Sequence, residues 1–177
     1  QMQRRHLTDT RIAQPAIGAM SLSLLYLLKE LGLKADFVAG HSYGEITALA
    51  AAGVFSEGEM LSIAQKRGEL MYEASLLNEG AMTAVFLHPD QVRERIDQLN
   101  LSVVIANVNS PEQVVVAGLA EEIGRLEDAF KEDGIYFSRL PVSTAFHSPM
   151  VAACVTPFRE YLQNIAFAQS AVPVYAN

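Results

Sequence analysis

Apolar and polar positions follow two different periods along this chain, and the change between them divides it. From Thr10 to Leu33 the apolar residues recur at helical spacing, with Gly18 and Ala19 suited to close packing and Gly32 placed near the helix end. Leu22 to Leu28 is strongly apolar but holds Ser23 and Tyr26 and soon meets Lys29-Glu30, so it is expected as a buried helix. No uninterrupted apolar stretch is long enough to suggest a membrane span. The short run Phe37-Val38-Ala39 reads as a strand, and the alanine-rich stretch from Glu45 to Ala52 as a helix. After a break at Gly53-Val54-Phe55, Ser56-Glu57-Gly58-Glu59 has the Ser-x-x-Glu form of a capping box. It opens a helix expected to reach about Ser75, with Met60, Ile63, Ala64, Leu70 and Met71 near one face.

From Gly80 the pattern changes. Strands are expected at Ala81–Leu87, Val103–Val108, Gln113–Ala117 and Tyr136–Leu140, with helices at Pro89–Leu99 and Ala120–Asp133. That βαββαβ order is the ferredoxin-like arrangement. A helix should follow from Pro149 to about Ile165, with Pro149 at a tolerated first-turn position and Pro157 within it or breaking it. Val172–Ala176 reads as a further strand. The fold class is therefore expected to be α/β. Residues 1–79 would form the first part of a core, 80–141 a ferredoxin-like subdomain inserted into it, and 142–177 the return to the core. Only Phe37–Ala39 and Val172–Ala176 suit a parallel core sheet, and the chain does not begin with methionine. A segment of a larger polypeptide, cut at both ends, is the expectation.

At 177 residues and 50% hydrophobic content the chain can bury a substantial core. With 19% charged residues and a net charge of −7 it is not disordered by composition, and nucleic acid is a disfavoured partner. Cys154 is the only cysteine, which excludes an internal disulfide and suits a reducing, cytoplasmic compartment. The four histidines and single cysteine show no metal-ligand spacing, so no metal is expected.

The chemistry concentrates at Gly40-His41-Ser42-Tyr43-Gly44. A strand feeding a helix through Gly-x-Ser-x-Gly is a nucleophile elbow, which presents the serine hydroxyl on a strained turn. The glycines let strand and helix pass closely, and the first helical N–H groups face the reaction centre. A serine nucleophile needs a base, and His147 is the candidate, just beyond the last strand of the inserted unit. A histidine that merely starts a helix is the plainer alternative. Arg67, beside Gly68, is either a solvated helix arginine or a bidentate clamp for a carboxylate. Gly68 suggests a close backbone approach or space for a ligand. His41 either lines a pocket or is structural. Cys154 reads as core packing, and His6 and His88 have no supporting context.

Four motifs then occur in order: Gly40-His41-Ser42-Tyr43-Gly44-Glu45, Arg67-Gly68, Asn109-Ser110-Pro111-Glu112-Gln113-Val114-Val115-Val116-Ala117-Gly118, and Ala145-Phe146-His147-Ser148-Pro149-Met150. Together they resemble the malonyl-CoA:acyl-carrier-protein transacylase family, including acyltransferase domains of type I polyketide and fatty-acid synthases. The flavour resembles the polyunsaturated-fatty-acid and enediyne types. The resemblance implies an α/β-hydrolase-like core carrying the elbow. It implies Ser42 as the acylated nucleophile, His147 as its base, and the Tyr43 N–H as one oxyanion donor. Arg67 would hold the malonyl carboxylate, with His41 and Phe146 near the acyl group. The family's second oxyanion donor comes from a Gly-Gln-Gly-Ser-Gln-like loop that has no counterpart in this sequence. Phe146 resembles the malonyl-type pattern and would crowd an α-branch, although Thr144 replaces the histidine usual there.

The resemblance also implies substrates and partners. Malonyl-CoA or a related acyl-CoA would donate, the phosphopantetheine thiol of an acyl carrier protein would accept, and a ketosynthase domain would neighbour. No tightly bound cofactor and no membrane are expected. Lys29, Lys34, Arg4 and Arg5 are candidate contributors to a basic docking surface. Two other readings remain: an α/β-hydrolase-type esterase or thioesterase using Asp97, Asp128 or Asp133, and a non-catalytic megasynthase segment.

Overall fold

Asp9 accepts a hydrogen bond from the Arg11 N–H at 3.0 Å and so caps the first helix, α1 (Thr10–Glu30). The structure, a computed structural model, describes residues 9–77, 79–142 and 144–176. His6, Arg4 and Arg5 lie outside them. Along α1 the buried residues are Gln14, Gly18 and Leu22, one per helical turn. Leu25 is partly buried and packs beside Leu22, but Leu24, Leu27 and Leu28 are each about half exposed, and Met20 more so. The Leu22–Leu28 run is thus not the buried helix that its composition predicts; only Leu22 of that run is fully buried. By length and composition alone α1 would also satisfy a membrane span, which short-range reading of its apolar run did not anticipate.

The described residues form two compact units. The first takes its residues from Gln1–Tyr72 and Thr156–Asn177. In it β1 (Val38–Ala39) leads through the elbow to α2 (Gly44–Ala51), and α3 (Glu57–Ser75) follows. The capping box forms as expected. The Ser56 N–H donates to Glu59 Oε2 at 2.7 Å, and the Glu59 N–H donates back to Ser56 Oγ at 3.2 Å. Leu22, Ala50, Phe55, Met60 and Ile63 make the core of this unit, with Phe158 and Tyr161 packed against it. Far along the chain β6 (Val174–Tyr175) pairs in parallel with β1, Val38 opposite Val174 and Ala39 opposite Tyr175. The Phe37 and Tyr175 rings meet edge to face at 5.5 Å.

The second unit, Glu73–Val155, contains β2 (Gly80–Val85), α4 (Pro89–Gln98), β3 (Val104–Ser110), β4 (Gln113–Leu119), α5 (Ala120–Glu132) and β5 (Phe137–Arg139). Its antiparallel sheet has the order β3-β4-β2-β5. Strand alternation sends the two sides of each strand to different cores. Val85, Val114 and Val116 join Val92 and Ile96 of α4 and Ile123, Leu126 and Phe130 of α5. Met82, Val115 and Ala117 face the other way and bury Ala145, with Phe146 and Met150 packed against them. The sheet is therefore covered on one side by helices and on the other by the segment that carries His147.

The segment after it starts as a 3₁₀ helix, Pro149–Cys154, and continues as α6 (Val155–Leu162). Pro157 breaks nothing, because it falls in the first turn of α6, where no intrahelical N–H bond is lost. Cys154 is half-buried and lies outside the hydrophobic clusters.

Candidate active site

Between β1 and α2 the chain must turn sharply, and the strain falls on Ser42, whose φ is 54°. That left-handed value is unfavourable for a residue with a Cβ. Gly40 makes the turn possible: a Cβ there would stand 2.1 Å from the Gly44 carbonyl carbon and oxygen. Gly44 itself has open space around its Cβ position, so close packing constrains only the first glycine of the motif. Behind Ser42, the N–H groups of Gly44, Glu45 and Ile46 donate to the carbonyls of His41, Ser42 and Tyr43, winding the chain into α2.

Tyr43 is buried, and its ring reaches α1. A Cβ at Gly18 would lie 2.4 Å from the Tyr43 hydroxyl oxygen, so the glycine of α1 is what admits the tyrosine. Burial pushes the phenol above its ordinary value, opposed by the nearby Thr47 hydroxyl and the charge of Arg67. The Tyr43 and Thr47 hydroxyls are both buried and neither meets hydrogen-bond geometry.

Arg67 is half-buried on α3, and its Nη1 donates to Gln14 Oε1 at 2.8 Å. Gln14 is only 6% exposed and its Nε2 points to Met71 Sδ at 3.2 Å. The role of Gly68 is clear in its surroundings. A Cβ there would sit 2.4 Å from the Thr10 carbonyl oxygen, and Thr10 Oγ1 donates to the Gly68 carbonyl at 2.7 Å. Close backbone approach, rather than reserved ligand space, accounts for this glycine.

In the second unit His147 is exposed and also left-handed, with φ 57°. Its turn is held from both sides. Ser148 Oγ donates to the Ala145 carbonyl at 2.6 Å and accepts from the Met150 N–H at 3.2 Å. Beneath it, a Cβ at Gly80 would stand 2.4 Å from the Ala145 nitrogen. Phe146, half-buried, packs on the Met82–Val115–Ala117–Ala145 cluster. Among the described non-glycine residues only Ser42, Asn100 and His147 have positive φ, so two of the three are the candidate nucleophile and base.

His41, Ser42, Tyr43 and Arg67 thus belong to the first unit, and Phe146 and His147 to the second. His41 is exposed. His88 caps α4, accepting from the Asp90 N–H at 3.3 Å, a structural role with no signal beyond Pro89 at the first helical position. Asp97 and Asp128 are exposed and Asp133 pairs with Arg95. All three lie in the second unit, remote in sequence from the elbow. Among the described residues no group of three or more His, Cys, Asp or Glu could hold a metal ion. Gln14 escaped the sequence reading altogether. Its signal is a polar residue in register with Gly18 and Leu22 on the inward stripe of a helix.

A family model described as the acyl transferase domain matches residues 1–177. The chain belongs to that family. This acyl transferase domain is 39% identical over 177 residues to the polyketide biosynthesis malonyl CoA-acyl carrier protein transacylase BaeC of Bacillus velezensis, covering 97% of this chain and 60% of that protein. It superposes on the malonyl CoA-acyl carrier protein transacylase of Burkholderia pseudomallei with a TM-score of 0.89 at 37% identity, covering 97% of this chain and 59% of the other. A malonyl-transacylase solved with its type II polyketide acyl-carrier protein matches with a TM-score of 0.89 at 32% identity, covering 97% of this chain and 57% of that one. This acyl transferase domain therefore spans about 60% of the length of the curated relative it matches. Its fold is α/β, like theirs.

Proposed function

We propose that this acyl transferase domain moves malonyl units from coenzyme A to the phosphopantetheine thiol of an acyl carrier protein by way of an ester on Ser42. The elbow carries the reading: Ser42 is held at φ 54° on a turn that only glycine at position 40 allows. Strain of that kind persists where a side chain must be presented.

In the proposed reaction His147 takes the Ser42 proton and the oxygen attacks the thioester carbonyl of malonyl-CoA. The oxyanion is stabilised by the Tyr43 N–H at the start of α2. The carbonyl re-forms as coenzyme A leaves with the proton from His147. The carrier-protein thiol then attacks the ester with His147 again as base, and Ser42 is released. Arg67 binds the malonyl carboxylate, while His41 and Phe146 border the acyl group and Phe146 disfavours an α-branch. No tightly bound cofactor enters these steps. The relatives named as malonyl CoA-acyl carrier protein transacylases and the structure with a carrier protein support the donor and acceptor. A ketosynthase neighbour and a cytoplasmic setting belong to the same reading.

We read the fold more finely as an α/β-hydrolase-like core, residues 1–79 and 142–177, with a ferredoxin-like subdomain inserted over 80–141. The βαββαβ order and the strand sequence β3-β4-β2-β5 support the second part, and the parallel β1–β6 pair supports the first.

Intact-protein mass spectrometry of the natural full-length polypeptide with malonyl-CoA tests the function. One malonyl group should add to the native protein and none to Ser42→Ala; an undiminished adduct on the variant overturns the assignment. Arg67→Ala should lower the preference for malonyl-CoA over acetyl-CoA by roughly ten- to a hundredfold, because a carboxylate then loses its charged partner.

A further inference from the structure

Tyr43 joins two functions in one residue. Its backbone N–H is the oxyanion donor of the proposed reaction, and its ring is buried, with 8% of the residue exposed. The ring ends at Gly18 on α1. A Cβ added there would overlap the phenol oxygen and come within 3.1 Å of Met60 Cε and 3.4 Å of Leu61 Cδ2 on α3. We propose that Gly18 is a positioning residue for acyl transfer: the gap it leaves in α1 seats the Tyr43 phenol, and the seated ring fixes the direction of the Tyr43 N–H. This rests on the reading of Tyr43 as an oxyanion donor beside Ser42.

The elbow needs such a hold. Ser42 at φ 54° is followed directly by Tyr43 at φ −55° and ψ −34°. The N–H in question therefore belongs to the peptide group between a left-handed and a right-handed residue. A conformation of this kind persists only where its surroundings over-determine it. The hydrogen bonds that wind the turn into α2 run from the Gly44, Glu45 and Ile46 N–H groups, and none of the three uses the Tyr43 N–H. Shape rather than a bond holds the ring, because the Tyr43 and Thr47 hydroxyls are both buried and neither meets hydrogen-bond geometry. A buried hydroxyl without a partner is unfavourable, and so is a glycine within a helix. A phenylalanine facing an alanine would avoid both penalties. The pair present sets an oxygen against the space of a missing Cβ, which limits how deep the ring can go.

Steric fit of this kind makes the effect of one substitution depend on the other. Transfer of malonyl from coenzyme A to a carrier protein, measured on the natural full-length polypeptide, gives kcat and KM for each variant. Gly18→Ala should lower kcat by at least about tenfold and leave KM for malonyl-CoA within about threefold, because a misplaced oxyanion donor acts on the transition state. Tyr43→Phe removes the oxygen that the new methyl meets and should lower kcat less. In the Tyr43→Phe background Gly18→Ala should then change kcat by less than about threefold, the methyl filling the volume that the oxygen leaves. Tyr43→Leu empties the seat without touching α1 and should also lower kcat by at least about tenfold. A merely structural glycine would lose activity in proportion to the folded fraction in urea unfolding, and Tyr43→Phe would not rescue it. Either result overturns the proposal, as does an unchanged kcat in Gly18→Ala. If Gly18→Ala does not fold, Tyr43→Leu decides alone. If the native protein is malonylated and Ser42→Ala is not, the ester reading stands whatever Gly18 does. If the native protein takes up no malonyl group, that reading falls and this proposal with it.

Discussion

At Ser42 and His147 the backbone occupies the left-handed region, at φ 54° and 57°. A side chain there costs on the order of 1–2 kcal/mol, because Cβ crowds the following carbonyl. Comparing two substitutions at one position isolates that cost. Ser42→Ala and Ser42→Gly both delete the hydroxyl, but only glycine relieves the crowding. Ser42→Gly should therefore be more stable than Ser42→Ala by about 1 kcal/mol in urea unfolding. Equal stabilities would mean that the turn is not strained. The elbow was legible because Gly-x-Ser-x-Gly writes its geometry locally, within five residues. The turn at His147 lies over Gly80, far off in the chain, and no local pattern announces that contact. Gln14 was not legible at all. A glutamine in a helix ordinarily faces water, and here it is buried against Arg67 and Met71 of α3, contacts made far along the chain.

Elements were easiest to read where their ends are specified by nearby side chains. Ser56 and Glu59 exchange two hydrogen bonds across the first turn of α3, as the Ser-x-x-Glu spacing requires. Hydrogen bonds from the Ser56 hydroxyl and N–H hold the Glu59 carboxylate below its ordinary value. The folded state thus binds the Glu59 proton less readily than the unfolded chain. Its contribution is complete above the ordinary carboxylate range and is lost as the pH falls through the lowered value. Ser56→Ala should cost about 1 kcal/mol at neutral pH, and the gap to wild type should narrow in acid. Urea titrations of both proteins across the acidic range check this; a gap that stays constant would leave the Glu59 half of the box without effect. The 3₁₀ helix at Pro149–Cys154 was not legible by the same logic. Apolar periodicity does not distinguish the tighter winding, and Pro157 is harmless only because α6 begins at Val155.

Over the described residues the hydrophobic pattern separates three cores, one in the first unit and one on each face of the antiparallel sheet. The antiparallel sheet uses both of its faces, so its strands carry apolar residues at consecutive positions, as in Val114-Val115-Val116-Ala117. That run reads as a buried strand in sequence, and the structure accounts for it with helices on one side and the Ala145–Met150 segment on the other. The exposed apolar side of α1 shows the opposite limit. An apolar helix predicts burial, yet burial is decided by which partners reach it, and in the described residues only Gln14, Gly18 and Leu22 of this helix are fully buried. The two helix-lined cores share no residue: Ile63 belongs to the one built on Leu22, Phe55 and Met60, and Ile123 to the one built on Val85, Val92 and Phe130. Both isoleucines are at most 2% exposed, so removing one methylene from either forfeits packing that cannot be replaced. Ile63→Val and Ile123→Val should each cost about 0.5–1.5 kcal/mol. With no common partner, the double variant should lose the sum of the two to within about 0.5 kcal/mol in urea unfolding. A larger discrepancy would show that the two cores respond to each other, which their separate memberships argue against.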